Sequence, residues 1–202
     1  MLAAQTHRIA MNHDSYDDSY IRGILNTVKT IAMVGASEKE NRPSYFAFKY
    51  LLERGYKMIP VNPGHAGEDM LGQRIFARLA DIPESVDMID IFRGSQYALA
   101  IVQEALALKT RPQVIWMQLG VRNDEAAALA EANGMKVVMN RCPKIEYGRL
   151  SSEIAWMGVN TRTLSSKKGT MGGIQRMTLN RASAQGGATV AADRAQRKDG
   201  GH

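Results

Sequence analysis

Five short apolar runs divide the chain into segments that are each about as long as one helix with its turns. The runs lie at Ile31–Val34, Met58–Val61, Met88–Phe92, Val114–Met117 and Val137–Met139. Each is too short for an independent helix and suits a strand that is buried on both faces. Between them, apolar residues recur at helical spacing. Strands that alternate with helices are typical of a parallel sheet covered by helices.

Residues that favour helix ends locate the helices along the chain. Pro43–Ser44 marks the start of a helix that ends before Gly55. Ser95 is predicted to cap a helix over 96–108, because serine accepts hydrogen bonds from the first amides of a helix. Asn123 is predicted to cap the next helix in the same way.

Three weaker patterns complete the prediction of secondary structure. Apolar positions over Ile21–Val28 predict an amphipathic helix before the first strand. A short strand is predicted near Gln73–Phe76, and a helical turn near Ile82–Val86. The predicted fold class is therefore α/β: a Rossmann-like, doubly wound, mainly parallel sheet of five to six strands with helices on both faces.

Charge is distributed unevenly along the 202 residues. Residues 1–161 carry 18 Lys and Arg against 18 Asp and Glu, and residues 162–202 carry 8 against 2. A neutral body with a basic tail lacks the basic face of a folded nucleic-acid-binding domain, so nucleic acid is not expected as a partner. We predict a loose leader over 1–19, a folded domain over 20–160 and a basic tail over 161–202 that is too poor in apolar residues to be ordered.

Cysteine content and hydropathy indicate the cellular compartment in which the protein is expected. A single cysteine excludes an intramolecular disulfide framework and suits a reducing environment. No apolar run approaches the roughly 20 residues that span a bilayer. We therefore expect a cytoplasmic protein that does not contact a membrane.

The exit of the first strand is the strongest candidate for ligand binding. Gly35 follows that strand directly, where a glycine can adopt positive φ and let a phosphate approach the backbone. The dinucleotide fingerprint needs three glycines, but this loop has one. The second strand ends in Val61, Asn62 and Pro63 and not in the acidic residue that holds the ribose of NAD. The pattern therefore disfavours NAD.

Coenzyme A carries a 3′-phosphate on its ribose, so its site should offer cations. Lys39, Arg42 and His65 lie near the ends of the first two strands and could supply them. Arg93 follows the third strand, where a guanidinium can hold a diphosphate through two charge-assisted hydrogen bonds. Because only coenzyme A carries the 3′-phosphate, Lys39, Arg42 and His65 favour coenzyme A over NAD.

A series of motifs over residues 24–150 resembles the small coenzyme A-binding domain proteins. The matching segments are Val34–Ser37, Pro43, Gly55–Tyr56, Pro60–Pro63, Leu79–Pro83, Val86–Asp87, Ile91–Arg93, Trp116–Gly120 and Val138–Pro143. That family is similar in fold to the nucleotide-binding domain of the succinyl-coenzyme A synthetase α subunit. The resemblance implies a Rossmann-like sheet that holds coenzyme A or an acyl-coenzyme A.

The resemblance also implies where the ligand binds. It assigns the diphosphate to Gly35, Ala36, Ser37 and Glu38, the adenosine to Val61, Asn62 and Pro63, and further contacts to Phe92, Arg93, Gln118, Leu119 and Gly120. Family members usually carry an aspartate where Asn140 stands, and this chain continues past the point where the family's domain closes.

Catalytic groups are scarce in the sequence. Of the four histidines, only His65 lies between the leader and the tail. No Cys/His pair has the spacing of metal ligands, so no metal is expected. Cys142 stands beside Arg141 and Lys144, which could favour its thiolate, but a free cysteine is more often a small buried apolar group. We therefore expect no catalytic residues in this chain.

Three functions remain open from the sequence. The leading interpretation is a non-enzymatic module that binds coenzyme A or an acyl-coenzyme A and acts as a carrier, a sensor or the partner of another protein. One alternative is an NAD(P)-dependent oxidoreductase that uses the same crevice. The other is a non-catalytic subunit of an acyl-coenzyme A ligase that a partner chain completes.

Overall fold

The computed structural model of the chain describes residues 11–151. Helices and strands alternate along this part of the chain. In order they are α1 (Asp18–Thr27), β1 (Thr30–Val34), α2 (Pro43–Glu53), β2 (Lys57–Val61), β3 (Asp69–Met70), β4 (Gln73–Arg74), β5 (Met88–Ile91), α3 (Ala98–Ala107), β6 (Val114–Met117), α4 (Asp124–Ala132), β7 (Lys136–Val138) and α5 (Pro143–Leu150).

The main sheet has five parallel strands in the order β2-β1-β5-β6-β7. The chain winds outward from β1 to β2 and then returns to β5 on the other side of β1. The winding direction therefore reverses between β1 and β5, as it does in doubly wound sheets. The predicted α/β class and its parallel sheet are confirmed. Strands β3 and β4 form a separate antiparallel hairpin.

Helices cover both faces of this sheet, as predicted. Alternate side chains of a strand point to opposite faces, so Ala32 and Val34 pack on the face that α3 and α4 cover. Ile31 and Met33 pack on the face that α1, α2 and α5 cover. Trp116 is fully buried on that second face, which places it in the core.

The predicted helix caps differ in their outcome. The Asn123 side chain accepts a hydrogen bond from the amide of Ala126 and caps α4, as predicted. The prediction for Ser95 is wrong, because Ser95 opens a short 3₁₀ turn and α3 begins at Ala98. The Ser95 hydroxyl instead accepts a hydrogen bond of 3.0 Å from the amide of Arg122. The Ser95 side chain therefore makes a long-range hydrogen bond and does not cap α3.

The connection between β2 and β5 also departs from the sequence prediction. Only Gln73–Arg74 of the predicted strand pairs in the hairpin, while Phe76 forms an isolated parallel bridge with Val61 of β2. The predicted helical turn lies earlier in the chain, at Leu79–Asp81. There the Asp81 carboxylate accepts hydrogen bonds from the backbone amide and the guanidinium of Arg78, which fixes the start of the turn.

The predicted leader needs correction over the residues that the structure describes. Helix α1 begins at Asp18, inside the predicted leader. The Tyr16 hydroxyl accepts a hydrogen bond of 2.7 Å from the amide of Met139, and its ring stacks on that of Tyr20. The Tyr20 hydroxyl donates to the carbonyl of Val137. The two tyrosine hydroxyls thus hold the segment that contains Tyr16 and Tyr20 against the β7 side of the sheet. The composition of the segment alone does not indicate this contact.

The remaining predictions about the ends of the chain concern residues 1–10 and 152–202, which lie outside the described residues. They stay predictions. Among residues 11–151, no helix is long and apolar enough to cross a membrane.

Asp87 joins three strands at the amino edge of the sheet. Its carboxylate accepts hydrogen bonds from the amides of Lys29 and Thr30, at 2.8 and 3.0 Å, where β1 begins. Its carbonyl accepts from Gln113 and Val114, where β6 begins. One residue therefore aligns the starts of β1, β5 and β6.

We expect Asp87→Ala to lower the free energy of unfolding by about 1–3 kcal/mol, because it leaves two amides without their acceptor. Urea titration followed by circular dichroism measures the change. Asp17→Ala removes an exposed carboxylate that makes no capping hydrogen bond and should cost less than about 0.5 kcal/mol. Equal losses in the two variants would contradict this role of Asp87.

Candidate functional site

The exits of β1, β2 and β5 surround a pocket of about 430 Å³ at the carboxyl edge of the sheet. Its position is the point where the winding direction reverses, which is where doubly wound sheets bind ligands. The lining residues are Gly35, Ser37, Lys39, Arg42, Pro43, Ser44, Asn62, His65, Phe92 and Arg93.

Gly35 allows the three strand exits to come together. Its amide donates a hydrogen bond of 2.8 Å to the carbonyl of Val61. Its φ is +89°, and a Cβ atom at this position would lie 2.8 Å from the carbonyl oxygen of Phe92. No other residue type satisfies both constraints, since L side chains avoid this φ and the space is already filled. Gly35 therefore lines the pocket without a side chain.

The Asn62 side chain holds two of these loops in place. Its amide nitrogen donates to the carbonyl of Ala36 at 2.8 Å, and its oxygen accepts from the amide of Gly64. Helix α2 begins beside this pocket with Pro43 at its first position and no side-chain cap. An uncapped helix start carries partial positive charge and suits an anion.

Three of the lining residues are cations without acidic partners. Among residues 11–151, Lys39, Arg42 and Arg93 form no ion pair, and the lining contains no carboxylate. The guanidinium carbon of Arg93 lies 6.0 Å from the centre of the Tyr97 ring. Three uncompensated positive charges around one pocket favour a ligand with several negative charges.

His65 differs from these cations. Its Nδ1 lies 3.0 Å from a carboxylate oxygen of Glu68 and 3.6 Å from one of Glu38. The same three side chains are the group in the described part of the chain that could together hold a metal ion. The His65 Nδ1 hydrogen-bonds Glu68, whereas the Oε2 of Glu38 is buried without a hydrogen-bond partner among the described residues. Glu68 was not predicted from the sequence, because its contact with His65 depends on how the loop after β2 folds.

Gln118 contacts a buried carboxyl group. Its amide nitrogen donates to both oxygens of Asp90, at 2.8 and 3.1 Å. Asp90 is fully buried at the centre of the sheet, where Met33 and Trp116 stand beside it in register. Burial raises the pKa of Asp90 to about 8, and the Gln118 hydrogen bonds oppose that rise only in part. At neutral pH Asp90 is therefore mainly uncharged.

Cys142 is buried at the start of α5. Burial raises the pKa of its thiol to about 11. The effect of Lys144, which favours the thiolate, is much smaller than that of burial. Thiol chemistry is therefore disfavoured, and the description of Cys142 as a small buried apolar group fits the structure.

The structure brings together eight of the fifteen predicted site residues. Those that line the pocket are Gly35, Ser37, Lys39, Arg42, Asn62, His65, Phe92 and Arg93. Pro43 and Ser44 line it as well, although the sequence pattern predicts them only as a helix start. Their place directly after a phosphate-type loop is the signal that could have identified them.

The other seven predicted residues lie elsewhere. Ala36 and Val61 are buried in the core and present only backbone to the loops. Glu38 faces His65, and Pro63 is exposed at the start of a 3₁₀ turn. Gln118, Leu119 and Gly120 belong to a turn after β6, next to the β5 exit but outside the pocket.

The chain is similar to proteins whose own names state no activity. YneT of Bacillus subtilis, described as uncharacterized, is 33% identical over 127 residues, which cover 63% of this chain and 91% of YneT. A solved structure from Thermus thermophilus is 37% identical with a TM-score of 0.63, covering 67% of this chain and 99% of that one. A hypothetical protein from Pyrococcus horikoshii is 36% identical with a TM-score of 0.64, covering 71% and 98%. The sequence profile of a family described as CoA binding domain matches residues 29–148.

Stability should depend on pH through Asp90. The unfolded carboxyl has a pKa of about 3.9, whereas that of the folded one is about 8. Between these values the folded state holds one more proton, so stability is greatest at the acidic end and falls as pH rises, by up to about 1.4 kcal/mol per pH unit.

Asp90→Asn removes this ionisation while keeping the shape of the side chain. We expect the variant to gain stability relative to the wild type as pH rises from about 5 to about 8. Urea titration at several pH values measures the difference, and Asp17→Asn is the exposed control. Parallel stability curves for Asp90→Asn and the wild type would show that Asp90 does not titrate in this range.

Proposed function

Because the chain belongs to the CoA binding domain family, we propose that its carboxyl-edge pocket binds coenzyme A or an acyl-coenzyme A. The observation that carries the proposal is the set of three cations, Lys39, Arg42 and Arg93, which line this pocket and form no ion pair within residues 11–151. Coenzyme A offers a diphosphate and a 3′-phosphate, which are the anions that such a set would neutralise. The family relationship and the charge of the site thus support the same ligand class.

The backbone around Gly35 supports a diphosphate in this pocket. A phosphate needs close approach to main-chain groups, and Gly35 lines the pocket without a side chain of its own. The uncapped start of α2 also lines the pocket, through Pro43 and Ser44. Gly35 and α2 would hold the diphosphate, while Lys39 and Arg42 are the cations available to the 3′-phosphate.

The lining favours coenzyme A over NAD. The exit of β2 offers Asn62, whose amide and oxygen already bind the backbone of neighbouring loops. It presents no free acidic acceptor for an unphosphorylated ribose. We therefore place the oxidoreductase alternative second and use NAD as the competing ligand in the test.

The chemistry of the lining supports a binding role. A nucleophile needs a base within hydrogen-bonding reach. Among the described residues, no hydrogen bond joins Ser37 or Ser44 to His65. We propose a non-enzymatic module that carries or senses its ligand, or presents it to a partner protein. If the module presents its ligand to a partner protein, the alternative is that the two chains together form an acyl-coenzyme A ligase.

Isothermal titration with coenzyme A, 3′-dephospho-coenzyme A and NAD tests this function. We expect coenzyme A to bind tightest. The dephospho form should bind about tenfold or more weakly, because charge-assisted hydrogen bonds contribute about 1.5–3 kcal/mol each. Tighter binding of NAD would favour the oxidoreductase, and the absence of binding by all three ligands would refute the proposal.

A pair of serine variants locates the binding in this pocket. Ser37→Asp places a negative charge in the lining and should weaken coenzyme A binding by at least about tenfold, ~1.4 kcal/mol. Ser85→Asp adds the same charge at an exposed position just before β5, at the opposite edge of the sheet, and should leave affinity within about twofold. Equal effects of the two substitutions would place the ligand elsewhere.

A further inference from the structure

Two exposed apolar side chains stand beside the proposed site. Within residues 11–151 the exposed large hydrophobic residues are Met11, Phe46, Tyr97 and Leu119. Tyr97 and Leu119 are the most exposed of them, at 53% and 50%. They lie on the loops that follow β5 and β6, two adjacent strands of the sheet.

Leu119 is held outward by a tight turn. The amide of Val121 donates to the carbonyl of Gln118 at 2.8 Å, and Gly120 has φ of +77°. This is the geometry of a turn that needs glycine at its third position, which leaves Leu119 at the second. The amide of Gly120 also donates to the Asn140 side chain at 2.8 Å. The side chain of Leu119 is thus presented to solvent by a fixed backbone.

Ser95 fastens this turn to the loop that carries Tyr97. Its hydroxyl accepts from the amide of Arg122, and its carbonyl accepts from the side chain of Asn123, both at 3.0 Å. The two loops that carry these side chains are therefore hydrogen-bonded to each other. We call Tyr97 and Leu119 the apolar pair.

Arg93 connects the apolar pair to the pocket. Its side chain lines the pocket, and its guanidinium carbon lies 6.0 Å from the Tyr97 ring centre. A ligand that leaves the pocket past Arg93 therefore reaches apolar surface directly.

The order of the phosphate, diphosphate and pantetheine groups in coenzyme A determines how the ligand is oriented along the sheet edge. Lys39 and Arg42 belong to the segment between β1 and α2, whereas Arg93 follows β5. In the proposed site the 3′-phosphate binds Lys39 and Arg42, and the diphosphate lies between Gly35 and Arg93. The pantetheine arm then points away from β2 and toward β6. Its thioester end is then on the side of the apolar pair.

We propose that the apolar pair binds the acyl chain of an acyl-coenzyme A, so that the preferred ligand is a thioester of an apolar acid and not free coenzyme A. This inference rests on the proposed function. Two side chains offer far less surface than the roughly 800 Å² per partner of a stable protein interface. A chain tethered to a ligand already held in the pocket needs no such area, because its effective concentration there is high.

Titration with coenzyme A, acetyl-coenzyme A and hexanoyl-coenzyme A tests the inference. A fully buried methylene strengthens binding by about fourfold, ~0.8 kcal/mol. With partial burial of four added methylenes, we expect the hexanoyl thioester to bind at least about tenfold tighter than the acetyl thioester.

Substitutions connect that preference to the apolar pair. Leu119→Ser and Tyr97→Ser should each lower the ratio of hexanoyl to acetyl affinity to about threefold or less. Phe46→Ser removes another exposed aromatic residue that lies outside the pocket lining, and it should leave the ratio unchanged. Thermal unfolding of each variant controls for folding.

Each other outcome overturns a defined claim. Binding of coenzyme A without dependence on chain length, or with a dependence that both serine substitutions leave intact, refutes the acyl site and leaves the proposed function standing. Light scattering that finds a dimer which Leu119→Ser dissociates would assign the apolar pair to a second copy of the chain. Failure of every ligand to bind removes the proposed function, and with it this inference.

Discussion

The close approach of three strand exits at Gly35 is the constraint on which the rest of this structure depends. Its amide binds the exit of β2, and the carbonyl of Phe92 after β5 occupies the space where a side chain would stand. Any Cβ at this point would force β1 and β5 apart, at the place where the winding of the sheet reverses. The pocket that Lys39, Arg42 and Arg93 line lies where these three strand exits meet.

Sequence pattern predicted the parts of the fold that depend on local physical chemistry. Buried parallel strands appear as continuous apolar runs, and Asn123 caps its helix through a contact three residues away. Features set by distant residues were not predictable in this way. Ser95 has the sequence environment of a helix N-cap, yet its hydroxyl accepts a hydrogen bond from the amide of Arg122, which is distant in the sequence. Tyr16 belongs to a polar segment whose partner, Met139, is 123 residues away.

The candidate site shows the same division. The loop after β1 was recognisable because a glycine that follows a buried strand has a local meaning. Gln118 looked like a ligand contact because of its place at a strand exit, but its amide binds Asp90, a buried carboxyl group that the apolar run around it conceals. Its protonation depends on three-dimensional burial, which sequence periodicity does not report. The cations could be named from the sequence, whereas only the structure shows that they form no ion pair with the described acidic residues.

The two tyrosines at the end of the sheet have a consequence for association between molecules. Strand β7 is an outer strand, and unpaired backbone groups on such a strand invite another chain to add itself. Here the Tyr20 hydroxyl binds the carbonyl of Val137, and the Tyr16 hydroxyl binds the amide of Met139. On the other outer strand, β2, Pro60 has no amide hydrogen to offer, and its carbonyl binds the amide of Phe76. Contacts on both outer strands thus occupy backbone groups that another chain would need for strand addition, which disfavours edge-to-edge pairing there.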